Sequence, residues 1–487
     1  MNYFAPLLKD AYKVFHKFAY KPGVTHVYSN FTNRHGKLSN IKGNEEVVFV
    51  GLQYFVKEIL IDRWNNTFFK VPKEVAVSEY SRVVDAMLGK HVDTKHIEDL
   101  WDLGYLPLEI KAVDEGTLVP YGVPSLTVVN TVSGFGWLTN MIETVLSAEI
   151  WGICTSATTA FAYRQQFEKT PIAKEMIPFM GHDFSYRGAF GTQAAAMSGF
   201  GHLCSFVGSD TIPAALFAEK YYNAQIDKDF VFCSVDATEH SVMCSYGTEG
   251  ELESLKHLIT NVTPSGIISI VSDTWDFWKL VTEYVPALKD TIMNREGTVV
   301  IRPDSGDPVK IVCGDPSAQT EHEQKGLIEC LWDTFGGTEV EWNGKQYKLL
   351  DNHIGAIYGD SITLDRQKQI HEQLTAKGFV PSVVLGIGSF TYQYVTRDTH
   401  GSAVKATDVQ FGEGNHQPIF KDPKTDSKKK SAKGLLCVAE KDGKLVLLDD
   451  VTPEQEKQGL LTTVFKDGVL VKETSLQQIR DKLKSYL

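Results

Sequence analysis

Short runs of apolar, mostly β-branched residues recur through the middle of the chain, each ending in polar groups and followed by helical spacing. Residues 266–271 end in Ser272-Asp273, with a helical pattern over 275–292. Val299-Val300-Ile301 runs into Arg302-Pro303-Asp304-Ser305-Gly306, 354–358 into Gly359-Asp360, and 383–385 into Gly386-Ile387-Gly388-Ser389. An earlier apolar run, 230–235, ends in Asp236-Ala237-Thr238-Glu239-His240, and 365–377 is helical in spacing. Strand, polar end and helix in that order predict a parallel sheet. At this count they predict an α/β fold built on an irregular TIM-like barrel, with its site at the strands' C-terminal ends. An open doubly wound sheet is the competing topology, and Gly386 with Gly388 supplies only half a dinucleotide fingerprint.

Outside this region the pattern changes. Tyr12 and His16 fall four apart and share a face of a first helix, 23–31 alternates as a strand, and Arg34 follows where that strand finishes. Residues 51–65 and 137–169 are helical in spacing, whereas 111–131 carries Gly116, Pro120, Gly122 and Pro124 among short β-rich runs, as tight hairpins do. Beyond Thr396-Arg397-Asp398 strand-and-turn patterning returns, with Lys405 on an alternating run. The expected division is a barrel domain of 1–36 plus 135–385 and a second, discontinuous β-rich domain of 37–134 plus 386–487.

A length of 487 residues favours two domains over one core. Hydrophobic content of 43% and charged content of 23% are ordinary for a globular protein, and a net charge of −12 argues against a nucleic-acid partner. An anionic ligand must therefore meet a local basic pocket. Seven scattered cysteines lack paired metal-ligand spacing and read as reduced, mostly buried thiols. No run of eighteen apolar residues and no leader pattern over 1–20 is present, so a cytoplasmic protein without a membrane partner is expected.

Chemistry gathers at the strand ends. Arg187, His240, Arg302 and Arg397 suit phosphates; Asp273, Asp304 and Asp360 suit sugar hydroxyls or magnesium; Tyr12 and Phe184 suit a flat ring. Each has a plainer alternative: Arg302 and Asp304 as a charged pair closing a turn, His240 as a hydrogen-bonded structural residue, Asp210 as a turn cap, Arg34 as a solvated cation. Lys421, Lys424, Lys428, Lys429, Lys430 and Lys433 crowd one stretch that is either a solvated loop or a basic lid over polyphosphate.

Several of these motifs, in one order, carry a resemblance. Residues 10–16, 182–188, 208–211, Glu239-His240-Ser241, Ser272-Asp273, 301–306, Gly359-Asp360, Thr396-Arg397-Asp398 and Phe420-Lys421-Asp422-Pro423 together resemble the nicotinamide phosphoribosyltransferases, nearly end to end. The resemblance implies conversion of nicotinamide and phosphoribosyl pyrophosphate to nicotinamide mononucleotide and pyrophosphate, assisted by Mg2+. It implies His240, Arg302 and Asp304 as catalytic residues, with Phe184 and Tyr12 sandwiching the pyridine and Tyr12 coming from the other subunit of a homodimer. Asp210 would accept from the carboxamide. Asp304 and Asp360 would hold ribose hydroxyls, with Gly359 and Gly388 admitting the sugar phosphate, and Arg397 would reach the 5′-phosphate. Arg34, Arg187, Lys405 and Lys421 would add positive charge for phosphate or pyrophosphate. His240 would be phosphorylated by ATP as an optional coupling substrate, with Glu239 or Asp273 fixing its tautomer. In place of a longer glycine run the chain has Gly388-Ser389-Phe390. The rivals are a nicotinate phosphoribosyltransferase and a non-catalytic binding protein on the same fold.

Overall fold

The computed structural model describes residues 3–359, 361–412, 414–421 and 431–487. Asp360 and the lysines at 424 and 428–430 lie outside the described residues. The chain forms two compact units: Met1–Thr158 with Ala218–Ala224 and Val395–Tyr486, and Thr159–Phe217 with Gln225–Tyr394.

The second, parallel unit is built on seven strands in the order Gly208–Ser209, Gly181–Asp183, Val383–Ile387, Ile354–Tyr358, Val299–Arg302, Ile268–Val271, Asp236–Ala237. Every pairing in it is parallel. A parallel bridge between Gly208 and Cys233 brings the two edges together, giving the irregular barrel that the strand–helix alternation predicts. Ile268–Val271 is buried along its whole length, as a β-branched strand covered on both faces should be. Full burial of a side chain such as Ile301 or Leu385 contributes roughly 1.5–3 kcal/mol. Helix Leu364–Ala376 covers the sheet with Gln367, Ile370, His371 and Leu374, a stripe at helical spacing, and Thr363 caps its start by accepting from the Arg366 N–H at 3.2 Å.

One strand differs from expectation. The run 230–235 forms only the bridge at Cys233, and the strand proper is Asp236–Ala237. The segment pairs first with Gly208 and then with Ile268, so neither partner holds it for long. Phe230 and Val235 are exposed.

The first, antiparallel unit holds a seven-stranded sheet in the order Asn415–Pro418, Ser402–Phe411, Val24–Asn33, Pro124–Asn130, Leu108–Ala112, Thr462–Lys466, Val469–Leu470. Its core includes Phe31, Phe55, Trp64, Tyr80, Leu138 and Cys154. The expected domain boundaries are corrected here. The N-terminal segment and residues 135–158 belong to this unit because Val24–Asn33 pairs antiparallel with Ser402–Phe411 and Pro124–Asn130, and because Leu138 and Cys154 pack in its core. Conversely, residues 386–394 stay with the barrel, where Tyr392 is a core residue.

All seven cysteines are free and five are buried. Among the described residues, no helix is long and apolar enough to cross a membrane.

Candidate active site

The strand Val299–Arg302 delivers Arg302 to the site. Pro303 follows it and keeps Arg302 extended. Its guanidinium is buried: Nη2 donates to the Thr238 carbonyl, while Nε has no hydrogen-bond partner among the described residues and lies 4.0 Å from Asp304 Oδ1. Asp304 is set by its own backbone, whose N–H donates to Asp273 Oδ2 at 3.0 Å. The other oxygen of Asp273 is 3.2 Å from His240 Nε2. Burial alone would raise the Asp273 carboxyl. The bonds from Ser305, the Asp304 N–H and His240 outweigh it and hold the group below the usual aspartate range. Gly359 begins the turn after the next strand. A side chain there would overlap Asp304 Oδ1, so the bare backbone is what lets the carboxylate occupy its place.

On the opposite side of the barrel, Gly181–Asp183 places His182 and Phe184. Their rings lie 4.5 Å apart at 31°, and the Phe184 N–H is tied to the Ile387 carbonyl at 3.0 Å. His182 Nε2 is 2.8 Å from Asp210 Oδ1, and Ser234 Oγ donates to the same oxygen at 2.6 Å. Asp210 is held below the ordinary aspartate range. Burial would raise it, but the His182 bond and charge, the Ser234 hydroxyl and the Arg302 charge prevail. Arg187 sits exposed on the tight turn Tyr186–Gly188. A side chain at Gly188 would overlap Ser389, so Ser389 fills the niche beside Gly188.

These groups surround a cavity of about 750 Å3 lined by Phe184, Arg187, Asp210, Glu239, Arg302, Asp304 and Gly359 among others. The start of helix Thr192–Leu203 also lines it, adding backbone N–H groups that favour anions. His240 and Asp273 adjoin Asp304 through the bonds above, and Glu239 accepts from Ser241. Gly388 precedes the helix Ser389–Gln393 and does not line the cavity.

Tyr12, Arg34, Arg397, Lys405 and Lys421 are carried by the antiparallel unit. There Tyr12 is 60% exposed, with its ring 5.3 Å from that of His16. Arg34 Nε donates to the Gly401 carbonyl at 2.8 Å, Lys405 pairs across the sheet with Asn30, and Arg397 is 3.3 Å from Asp398. Lys421 exchanges hydrogen bonds with Ser431.

Sequence reasoning missed Ser234 and Thr238. Ser234 lies inside the apolar run 230–235, whose pattern predicts plain strand.

A parallel barrel with an arginine, two aspartates and an aromatic converging at the strand ends is the arrangement of a phosphosugar-handling enzyme. Residues 179–469 match the model of the nicotinate phosphoribosyltransferase (NAPRTase) family, and the chain belongs to that family. It is thus a phosphoribosyltransferase, an enzyme that transfers a pentosyl group. The chain is 49% identical to a nicotinamide phosphoribosyltransferase of Acinetobacter baylyi, over 98% of this chain and 96% of that one. It is 32% identical to one of Xanthomonas campestris pv. campestris, over 99% and 98%. A solved nicotinate-nucleotide pyrophosphorylase from Pyrococcus furiosus shares the fold, with a TM-score of 0.59 at 15% identity, covering 99% of this chain and 95% of that one.

Proposed function

We propose that the chain joins nicotinamide to the ribosyl carbon of phosphoribosyl pyrophosphate, yielding nicotinamide mononucleotide and pyrophosphate in NAD salvage. The observation that carries this is Asp210: an ionised carboxylate facing the cavity at the end of the strand next to the one that carries Phe184 accepts from a carboxamide N–H and repels a nicotinate carboxylate. Phe184 packs one face of the pyridine, and Tyr12 of a second copy of the chain covers the other in a homodimer. Holding the ring nitrogen in line with the anomeric carbon supplies proximity. As that carbon loses pyrophosphate, Arg187 and Arg302 neutralise the departing charge. Asp304 with Asp360 holds the ribose hydroxyls; Arg397 takes the 5′-phosphate, and Arg34, Lys405 and Lys421 add positive charge.

Among the described residues, no group of three or more His, Cys, Asp or Glu side chains is gathered as a metal cage. Mg2+ commonly binds through one or two carboxylates plus substrate phosphates, and Asp304 at the cavity wall fits that donor set. When bound there it would add positive charge to the leaving pyrophosphate.

ATP coupling rests on His240. Asp273 holds one ring nitrogen, and the other has no partner among the described residues. That nitrogen attacks the γ-phosphorus of ATP, ADP leaves, and water later takes the phosphoryl group. We assign the enzyme to the cytoplasm, with its soluble substrates.

The test is incubation with phosphoribosyl pyrophosphate, Mg2+ and nicotinamide. Equal amounts of nicotinamide mononucleotide and pyrophosphate are expected, and a labile phosphoenzyme when ATP is added. Preferential turnover of nicotinate would replace this reading with the nicotinate enzyme, and tight binding without pyrophosphate release would make the chain a binding protein.

A further inference from the structure

Asp210 does not act alone, and the way it is held bears on how nicotinamide is chosen. Its Oδ1 takes two bonds, from His182 Nε2 at 2.8 Å and from Ser234 Oγ at 2.6 Å. A carboxylate oxygen has two in-plane lone-pair directions, so this oxygen is full. Oδ2 has no partner among the described residues, and the side chain is 43% exposed where it lines the cavity. Because a carboxylate can only accept, His182 must carry its proton on Nε2.

Both donors are rigidly placed. Gly208 leaves room for His182, since a side chain there would come within 2.9 Å of its Nδ1. The same imidazole lies against the Phe184 ring at a tilt of 31°. Ser234 is delivered by the segment that closes the barrel: the Cys233 N–H donates to the Val207 carbonyl at 2.7 Å, and the Ser209 N–H to the Cys233 carbonyl at 3.0 Å. Asp210 itself is anchored by its N–H to the Asp183 carbonyl at 3.0 Å.

We infer that Ser234 is a specificity-positioning residue: by filling Asp210 Oδ1 together with His182, it stops the carboxylate from rotating and leaves Oδ2 as the single acceptor for the carboxamide. This rests on the nicotinamide reading above. Its hydroxyl proton is committed to Asp210, so Ser234 offers no donor to a nicotinate carboxylate. The clamp thus favours the amide by a fixed acceptor and withholds a donor from the acid.

The test is steady-state kinetics of Ser234→Ala, Ser234→Thr and Asp210→Asn, with Ser234→Ala also made in the Asp210→Asn background. Ser234→Ala is expected to raise KM for nicotinamide about 3- to 10-fold, with a smaller change in kcat and none in KM for phosphoribosyl pyrophosphate. Ser234→Thr, which keeps the hydroxyl, restores the wild-type value. In the Asp210→Asn background the Ser234→Ala effect disappears, because the group it acts through is gone. An unchanged nicotinamide KM in Ser234→Ala, a parallel loss of phosphoribosyl pyrophosphate affinity, or an undiminished effect in the double variant would overturn the role of Ser234 while leaving the reaction in place. A wild-type enzyme that ignores nicotinamide would overturn both.

Discussion

Glu115 in the antiparallel unit and Arg302 in the parallel unit are both charged residues with 9% of their surface exposed, and the two are treated in opposite ways. Glu115 is held by its own fold. Its oxygens accept from the Gly51 N–H at 2.7 Å, the Gln53 N–H at 2.6 Å and the Tyr222 hydroxyl at 2.8 Å, while burial pushes its carboxyl up. Arg302 lines a cavity, gives one nitrogen to a carbonyl, and has a buried Nε without a hydrogen-bond partner among the described residues. A buried charge whose partners all come from its own fold is structural, whereas one left short of partners beside open space is arranged for a ligand.

Exchanging the two residues' fates breaks this contrast most sharply. Arg302→Lys should lower kcat/KM by about 100- to 1000-fold, since a point charge cannot replace a planar fork, with only a small change in melting temperature. Glu115→Ala should do the reverse. It strips a partner from three donors and should cost about 3–5 kcal/mol in denaturant unfolding, with Michaelis constants of the folded fraction unchanged. If Arg302→Lys instead melted early with normal kinetics, the distinction would be lost.

Gly359→Ala sharpens the comparison within the parallel unit. The added methyl must push Asp304 aside, and a shift of about 1 Å in a positioning group can lower the rate about 100-fold, so kcat/KM for phosphoribosyl pyrophosphate should fall by about 10- to 100-fold. A normal rate would show that the place of Asp304 is not set by Gly359.

Individual groups in the two units also respond to pH in opposite ways. Asp210 and Asp273 have folded values below the ordinary aspartate range, so the stability they contribute is present above that range and is lost as pH falls through the lowered values. Lys9 in the antiparallel unit has the opposite character. Burial lowers it to about 7; its amine donates to the Tyr80 hydroxyl at 3.0 Å and Met141 Sδ at 3.4 Å, neither of which is a carboxylate. Between about 7 and the ordinary lysine value the unfolded chain holds a proton that the native one lacks, so stability should rise with pH across that window. Thermal melts at a series of pH values should show this rise in the wild type and a flatter profile in Lys9→Met; identical profiles would remove Lys9 as the cause.

Much of the parallel unit was legible in the sequence. Val299-Val300-Ile301 before Arg302-Pro303-Asp304 announces a buried strand with a functional end, because β-branched side chains suit a covered strand and proline keeps the next turn open. The segment around Ser234 was not legible, because it changes partners at Cys233 and so never forms the continuous strand its apolar run suggests. The sheet to which Val24–Asn33 belongs was also hidden. Local pattern specifies that it is a strand, but its neighbour Ser402–Phe411 lies hundreds of residues away, and nothing within 24–33 names that partner. At the site, Asp210, Arg302 and Asp304 could be read as candidates and all three line the cavity, whereas the two bonds that fill Asp210 Oδ1 depend on contacts between separate strands.

The most direct test of the central claim is the ratio of kcat/KM for nicotinamide to that for nicotinate, measured by pyrophosphate release in the wild type and in Asp210→Asn. The account predicts a strong preference for nicotinamide that shrinks by at least about 10-fold in the variant, because the neutral amide no longer repels the acid. An equal ratio in the two proteins, or a wild-type preference for nicotinate, would contradict it.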